Sequence, residues 1–258
     1  MDLAVVRDDM VDSLEHESKG WVQSEAVSVA MRTVPRHVFF EDEQTAYADR
    51  AVERLGTRVL SPSTVARLLE SLDAEEEDSV LVVGAGVGYT AAVLAELVGA
   101  RNVHALDITR RVVYEARQNL ARAGYDEVLV DCRDGSQGLP EYAPFDRILL
   151  EAAAVRPPTA LTEQLTDAGR LVMPLGARSQ SLAVVDAAGE CERRGPCTFA
   201  PMLVEGEQAD SLERNRTRRE DREFARRDAR RKGGWEQDWI DWEGDSTGGP
   251  DAAGPRRE

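Results

Sequence analysis

The chain has 258 residues, 42% of them hydrophobic, so it can bury the core of one full domain and leave residues for a tail. Its 48 acidic residues outnumber 32 basic ones, of which only Lys19 and Lys232 are lysines, and the net charge of -16 disfavours binding to nucleic acids. The sequence has no run that predicts a membrane helix and no standard signal peptide. The three cysteines lack the spacing of a metal site and are too few for a disulfide framework. We therefore expect a cytoplasmic protein, with a composition typical of proteins that work in concentrated salt.

Three helices are predicted in the first part of the chain. Apolar residues recur at helical spacing through residues 5–32 and are interrupted around Lys19 and Gly20, so two helices are expected before Pro35 ends the second. Residues 62–72 show another amphipathic pattern, for which Ser61 or Ser63 is available as the N-cap.

Short apolar runs alternate with helical segments from residue 80 onward. Strands are predicted at residues 80–83, 103–106, 128–130, 147–150 and 169–174, and helices at residues 89–98, 109–123 and 158–165. This alternation indicates right-handed crossovers, so the predicted fold class is α/β, with a doubly wound and mainly parallel sheet. A last hairpin, at residues 181–186 and 197–203, would close the sheet edge.

The composition changes after Glu205. Residues 211–232 are dense in Arg, Glu and Asp, and residues 233–258 are rich in Gly, Asp and Trp. We predict a charged, solvated helix followed by a flexible end, although an RNA-contacting arm is an alternative for residues 214–231. Trp235, Trp239 and Trp242 repeat at near-helical intervals and could dock on the core or bind a partner.

The stretch SVLVVGAGVGYTAAVLAEL, residues 79–97, places three alternate glycines where a strand passes into a helix. Gly84 permits a tight turn, Gly86 lets a ligand approach the backbone, and the helix that follows offers free N–H groups. A tight turn without a ligand is the alternative for this motif alone. Asp107 lies about twenty residues beyond the turn, where it could accept both ribose hydroxyls or cap the helix at Thr109.

Two further observations specify the ligand. No GK[ST] element follows Gly88 and the last glycine spacing is GxG, which favours S-adenosylmethionine over NAD. After the third strand, Asp134 could hydrogen-bond the adenine amino group, although Asp-Gly is also an ordinary turn. The residues predicted to bind S-adenosylmethionine are Val83, Gly84, Ala85, Gly86, Gly88, Asp107, Ile108, Asp134 and Gly135. Three segments are predicted: an N-terminal helical, substrate-side segment (1–78), the cofactor-binding α/β core (79–205) and a charged C-terminal extension (206–258).

Several longer motifs are more specific than the glycine turn. They are AMRTVPRHVFF (30–40), SPSTVARLLESL (61–72), RDGSQGLPEYAPFDRILLEAAA (133–154), PTALTEQLTDAGRLVMPLG (158–176) and FAPM (199–202). With these motifs in this order, roughly residues 5–204 resemble the protein-L-isoaspartate O-methyltransferase family. The resemblance implies transfer of a methyl group from S-adenosylmethionine to the α-carboxyl of L-isoaspartyl residues in damaged proteins or peptides, by a class I methyltransferase that needs no metal. We expect a monomer.

The sequence departs from the family at the substrate side. The family has a GQTISxP segment whose serine contacts the substrate, whereas this chain reads GTRVLSP at residues 56–62, one residue shorter. Counting forward from Tyr47 places Ser61 at the serine, and counting back from Pro62 places Leu60 there. We predict Ser61 as the catalytic-site serine, with helix capping as its alternative role.

Glu151 stands where the resemblance implies a threonine. A carboxylate there would repel the substrate carboxylate unless it were paired, and Arg156 is a candidate partner. A methyltransferase for another carboxylate or small molecule, and a cofactor-binding protein without turnover, are therefore the alternative functions. His37 lies near the expected substrate cleft, but a structural role is favoured for it.

Overall fold

A computed structural model of the protein describes residues 2–203, which belong to a compact unit that runs from Met1 to Gln208. The predicted charged helix, the flexible end and the three tail tryptophans lie outside the described residues. In the described part of the chain, no helix combines the length and the apolarity needed to cross a membrane.

The described residues form six α-helices. They are α1 (Leu3–Glu15), α2 (Glu25–Thr33), α3 (Pro62–Leu72), α4 (Tyr89–Val98), α5 (Arg110–Ala123) and α6 (Thr159–Thr162). Each of the first three begins at a side-chain cap, because Asp2, Ser24 and Ser61 accept backbone N–H groups of the first turn. The three helices predicted in this part of the sequence are confirmed.

The strands form one large sheet and one small hairpin. They are β1 (Val52–Arg54), β2 (Thr57–Val59), β3 (Val80–Val83), β4 (Val103–Asp107), β5 (Leu129–Cys132), β6 (Phe145–Leu150), β7 (Leu165–Leu175), β8 (Gln180–Asp186) and β9 (Cys191–Cys197). The seven-stranded sheet has the order β5-β4-β3-β6-β7-β8-β9, and β1 pairs with β2. The five neighbouring strands β5, β4, β3, β6 and β7 pair in parallel. Strand β8 pairs antiparallel with both β7 and β9. The predicted α/β fold class is confirmed.

Strand β3 lies between β4 and β6 inside the sheet, and its four residues are all buried. Alternate residues of this strand join two apolar clusters, Val80 and Val82 in one and Leu81 and Val83 in the other. The chain adds β4 and β5 on one side of β3 and then returns to add β6 on the other. This reversal lies between β3 and β6, and doubly wound sheets bind their ligands at the carboxyl ends of the strands at such a point.

The predicted hairpin is wrong in its second strand, which is Cys191–Cys197 rather than residues 197–203. Residues 199–202 instead run beside the end of β6, where Ala153 donates its N–H to the Ala200 carbonyl at 2.7 Å and Met202 donates to Ala153 at 2.9 Å. The predicted helix at residues 158–165 is also shorter, because β7 already begins at Leu165.

A buried arginine attaches the N-terminal segment to the core. Arg36 has no exposed surface, and its guanidinium lies 4.3 Å from the ring centroid of Tyr89, at the start of α4. It donates hydrogen bonds to the carbonyls of Ala46 and Leu60. The chain between these two carbonyls, which includes the β1–β2 hairpin, is therefore held over the beginning of α4.

Candidate active site

The glycine turn connects β3 to α4 with three residues in left-handed conformations, φ +88° at Gly84, +53° at Gly86 and +95° at Gly88. Gly84 and Ala85 both donate their N–H groups to the Leu106 carbonyl at 2.8 Å, which attaches the turn to β4. A side chain at Gly88 would lie 3.2 Å from Cγ of Leu120, so this glycine also permits close packing of α5.

Asp107 joins the glycine turn to the end of β4. Its Oδ2 accepts the N–H of Gly86 at 3.2 Å, and its Oδ1 accepts the N–H of Thr109 at 2.9 Å. Burial raises the pKa of Asp107, and the N–H groups of Thr109 and Gly86 oppose that rise.

Asp134 and Gly135 lie beyond the end of β5. Asp134 caps a short 3-10 helix, Gly135–Gln137, by accepting the N–H of Ser136 at 2.8 Å. A Cβ at Gly135 would lie 2.2 Å from Cγ1 of Val83, so only glycine lets this loop approach β3.

The structure brings the nine predicted cofactor residues together at the carboxyl ends of three neighbouring strands. Val83 and Asp107 are the last residues of β3 and β4, and the other seven residues lie in the segments that follow β3, β4 and β5. Their contacts with a cofactor stay predictions.

Ser61 occupies the N-cap of α3. Its Oγ accepts the N–H of Thr64 at 3.3 Å and lies 2.8 Å from Oγ1 of Thr64 and 3.2 Å from Oγ of Ser63. Leu60, the other candidate for this position, is 7% exposed, and its carbonyl accepts from Arg36. The capping role of Ser61 is therefore present, and its catalytic role stays a prediction.

Glu151 follows β6 and packs against the glycine turn. Its Cβ lies 3.6 Å from the position that a Cβ of Gly84 would take, and its N–H donates to the Val83 carbonyl at 2.8 Å. Oε1 is buried and has no hydrogen-bond partner among the described residues, although Glu151 as a whole is partly exposed. Burial raises the pKa of Glu151 to about 7, the Thr90 side chain opposes the rise, and the charge of Asp107 adds to it.

The suggested pairing of Glu151 with Arg156 is not found. Arg156 is exposed, and no ion pair joins it to Glu151 in the part of the chain that the structure describes. His37 contacts Tyr47, with 2.7 Å between Nδ1 and the phenolic oxygen, which agrees with a structural role.

Sequence reasoning missed three residues that shape the site. Thr57 of β2 places Oγ1 3.7 Å from the position of a Gly86 Cβ, and Met202 places Cε 3.8 Å from that of Gly135. Asn119, fully buried on α5, donates to the Val87 carbonyl at 3.0 Å. Asn119 could have been found as a polar residue on the apolar face of α5, whereas the other two come from distant segments without a local signal.

A cleft of about 1010 Å³ lies at the other end of these strands, near the amino ends of β3, β4 and β5. Its lining includes Glu70, Asp73, Glu96 and Glu127. We assign the candidate site to the carboxyl ends of the strands instead, because the glycine turn, Asp107 and Glu151 lie together there.

A doubly wound sheet with a glycine turn at its reversal point, and an acidic residue ending the next strand, is the arrangement of nucleotide-binding α/β folds. The similar solved structures place this fold in the class I methyltransferases. A Plasmodium falciparum protein described as a protein-L-isoaspartate O-methyltransferase, in complex with S-adenosyl-L-homocysteine, matches with a TM-score of 0.68 and 20% identity, over 76% of this chain and 98% of that one. A second protein-L-isoaspartate O-methyltransferase matches with a TM-score of 0.68 and 24% identity, over 81% of this chain and 69% of that one.

The sequence comparisons identify the family. The profile of the family Protein-L-isoaspartate(D-aspartate) O-methyltransferase matches residues 6–206. The chain is 39% identical to a protein-L-isoaspartate O-methyltransferase of Methanosarcina mazei, over 75% of this chain and 82% of that protein. It is 42% identical to one of Aeropyrum pernix, over 76% of this chain and 78% of that protein. The chain belongs to the protein-L-isoaspartate O-methyltransferase family, as its motifs predict.

Proposed function

We propose that the protein transfers a methyl group from S-adenosylmethionine to the α-carboxyl of L-isoaspartyl residues in damaged proteins or peptides. Its membership of the family supports this activity, and so do the names of its relatives. The ester formed in this way would collapse to a succinimide, whose hydrolysis restores some normal aspartate.

The observation that supports the proposal most directly is the hydrogen bond between the glycine turn and Asp107. The turn leaves open space at Gly86, where a Cβ would meet only Thr57 Oγ1 at 3.7 Å and the Gly84 carbonyl at 4.0 Å, so a ligand can approach the backbone there. Asp107 ends β4 beside Gly86, where its carboxylate would accept ribose hydroxyls, and Asp134 lies on the far side of Asp107, where adenine would extend. These residues fit S-adenosylmethionine, which supplies an electrophilic methyl group when bound.

The protein's own part in the reaction is alignment. A carboxylate is already a competent nucleophile towards a sulfonium methyl group, so no general base is required. Holding the two reactants in line can supply about 7–11 kcal/mol of the barrier. In this proposal Ser61 contacts the substrate with its hydroxyl proton while its oxygen continues to cap α3.

The composition supports a proposal about the setting. A net charge of -16 with two lysines suits a monomeric cytoplasmic protein in concentrated salt, where repulsion between carboxylates is screened within about 3 Å. Activity that rises between dilute buffer and molar potassium chloride would support this setting, and activity that falls would contradict it.

Two measurements on the full chain test the function. Calorimetry with S-adenosylmethionine should show one binding event per chain, and methanol release should follow on an isoaspartyl peptide but not on the matched aspartyl peptide. Binding without methanol release on either peptide would contradict repair and leave another substrate or no turnover. Absence of binding would contradict the cofactor assignment as well.

A further inference from the structure

Glu151 lies on the other side of the glycine turn from Asp107. The sheet order places the end of β4 on one side of β3 and the end of β6 on the other. If the ribose of a bound cofactor contacts Asp107 and its adenine lies towards Asp134, its opposite end would lie towards β6. Glu151 is the first residue after β6 and packs on Gly84, so it lies beside the glycine turn on the side nearest to β6.

Burial of the Glu151 carboxyl favours its neutral form and raises its pKa to about 7. Oε1 is buried and makes no hydrogen bond with residues 2–203. The groups that act on the carboxyl are the buried Asp107 at the end of β4 and the side chain of Thr90 on α4, while β3 contributes the Val83 carbonyl to the backbone of Glu151. An unpaired polar atom that is buried costs free energy, which a ligand that completes its hydrogen bond can recover.

We propose that Glu151, in its protonated form, donates a hydrogen bond to one oxygen of the substrate α-carboxylate and so selects and positions the nucleophile. This inference rests on the proposed function. The ionised form of Glu151 would repel the same carboxylate. The protonation state of Glu151 therefore determines the pH range in which the substrate binds.

The proton and electron accounts balance. An isoaspartyl α-carboxyl has an ordinary pKa of about 3.5, so it is ionised at neutral pH. Its second oxygen forms the new O–CH₃ bond as the S–CH₃ bond of the donor breaks, and the electron pair of that bond stays on sulfur. Glu151 keeps its proton throughout, so it is a substrate-binding group rather than a general acid.

The pH profile of kcat/KM tests this inference, because kcat/KM reports ionisations of the free enzyme and substrate. Burial raises the pKa of Glu151 to about 7. We expect kcat/KM for an isoaspartyl peptide to fall about tenfold per pH unit above that value. Glu151→Gln keeps a neutral donor of the same shape, so its profile should be flat over this range. Glu190→Gln, at an exposed position beside β9, is the matched control and should keep the wild-type profile.

A second measurement uses only the wild-type protein and so does not depend on the folding of a variant. The peptide with an α-carboxamide in place of the carboxylate carries no charge at that position, so its inhibition constant should stay level with pH while KM for the carboxylate peptide rises.

A third measurement checks that the variant keeps its cofactor site. Calorimetry should give Glu151→Gln the wild-type affinity for S-adenosyl-L-homocysteine, within about threefold.

Four results overturn the inference. They are a Glu151→Gln profile that falls like that of the wild type, an inhibition constant that rises in parallel with KM, a flat wild-type profile, and loss of cofactor binding in Glu151→Gln. If the wild-type protein methylates no isoaspartyl peptide at any pH, the proposed function fails together with the inference. If it does methylate the peptide, these four results refute the role of Glu151 alone.

Discussion

Gly86 donates its backbone N–H to Oδ2 of Asp107 across 3.2 Å, and this bond ties the turn after β3 to the end of β4. The same carboxylate holds Thr109 just before α5 begins. Asp107 therefore fixes the two chain segments between which the cofactor is expected to lie, in addition to its predicted contact with the ribose.

Asp107→Asn should weaken binding of S-adenosyl-L-homocysteine by about tenfold or more, because a hydrogen bond to a charged group contributes about 1.5–3 kcal/mol. Calorimetry measures this loss. Asp146→Asn is the matched control, since Asp146 accepts the Ser79 N–H at 3.0 Å at the opposite end of β3. The control should lose stability and keep its affinity, and an equal loss of affinity in both variants would refute the role of Asp107.

Gly86→Ala should abolish or strongly weaken cofactor binding. The new Cβ would project into the space near Thr57 that a ligand needs, and the left-handed backbone, φ +53°, adds a strain of about 1–2 kcal/mol. Gly124→Ala is the control, because Gly124 is left-handed as well, ends α5 and has nothing within 4 Å of the Cβ position. Thermal unfolding should detect destabilisation in both variants and calorimetry a loss of affinity in Gly86→Ala only. Unchanged affinity in Gly86→Ala would remove the turn from the cofactor site.

Ser61→Ala separates capping from catalysis. Loss of the cap should lower the free energy of unfolding by about 1 kcal/mol. Ser24→Ala removes an equivalent cap from α2, where Ser24 accepts the N–H of Val27 at 3.3 Å. Both variants should lose similar stability in urea, whereas kcat/KM on an isoaspartyl peptide should fall at least about tenfold in Ser61→Ala alone. Equal activity in the two variants would reduce Ser61 to a helix cap.

The pKa of Glu151, raised from its ordinary 4.5 to about 7, predicts how stability depends on pH. Between these values the folded chain holds a proton that the unfolded chain has released, so the free energy of unfolding falls as pH rises through this window and is level above it. The loss amounts to at most about 3 kcal/mol. Urea unfolding at several pH values should show Glu151→Gln gaining on the wild type from acid to neutral pH, while Glu190→Gln should keep a constant difference. A constant difference for Glu151→Gln too would show that the carboxyl titrates normally.

The elements that could be predicted are those whose signal is local. The run at residues 80–83 is apolar throughout because both faces of β3 are covered, and α3 was delimited by the cap at Ser61 and its apolar face. Strand β9 was misplaced because its sequence, CERRGPC, is polar and largely exposed. The apolar residues that drew the prediction towards residues 197–203 are buried for another reason, since Phe199 and its neighbours pack beside the end of β6.

The candidate site was predictable where one segment carries its own signature, as the glycine turn does. Contacts between distant segments were not predictable. The sequence offers Arg156, five residues away, as a candidate partner of Glu151. The groups that act on the carboxyl are instead Thr90 of α4 and Asp107 of β4, which are distant in sequence. The proximity of Thr57 to Gly86 likewise depends on how the β1–β2 hairpin is placed, which spacing along the chain does not encode.

Strand β9 has a consequence for how copies of the protein meet. A free sheet edge is a template on which a second chain can add a strand, and such addition leads to aggregation. Here the edge presents the exposed charges of Glu192, Arg193 and Arg194, while Pro196 has no N–H to offer to an incoming strand. Strand β9 therefore disfavours the addition of a strand from an identical chain to this edge of the sheet. This protection also applies in concentrated salt, where charge repulsion between whole molecules is too weak to keep them apart.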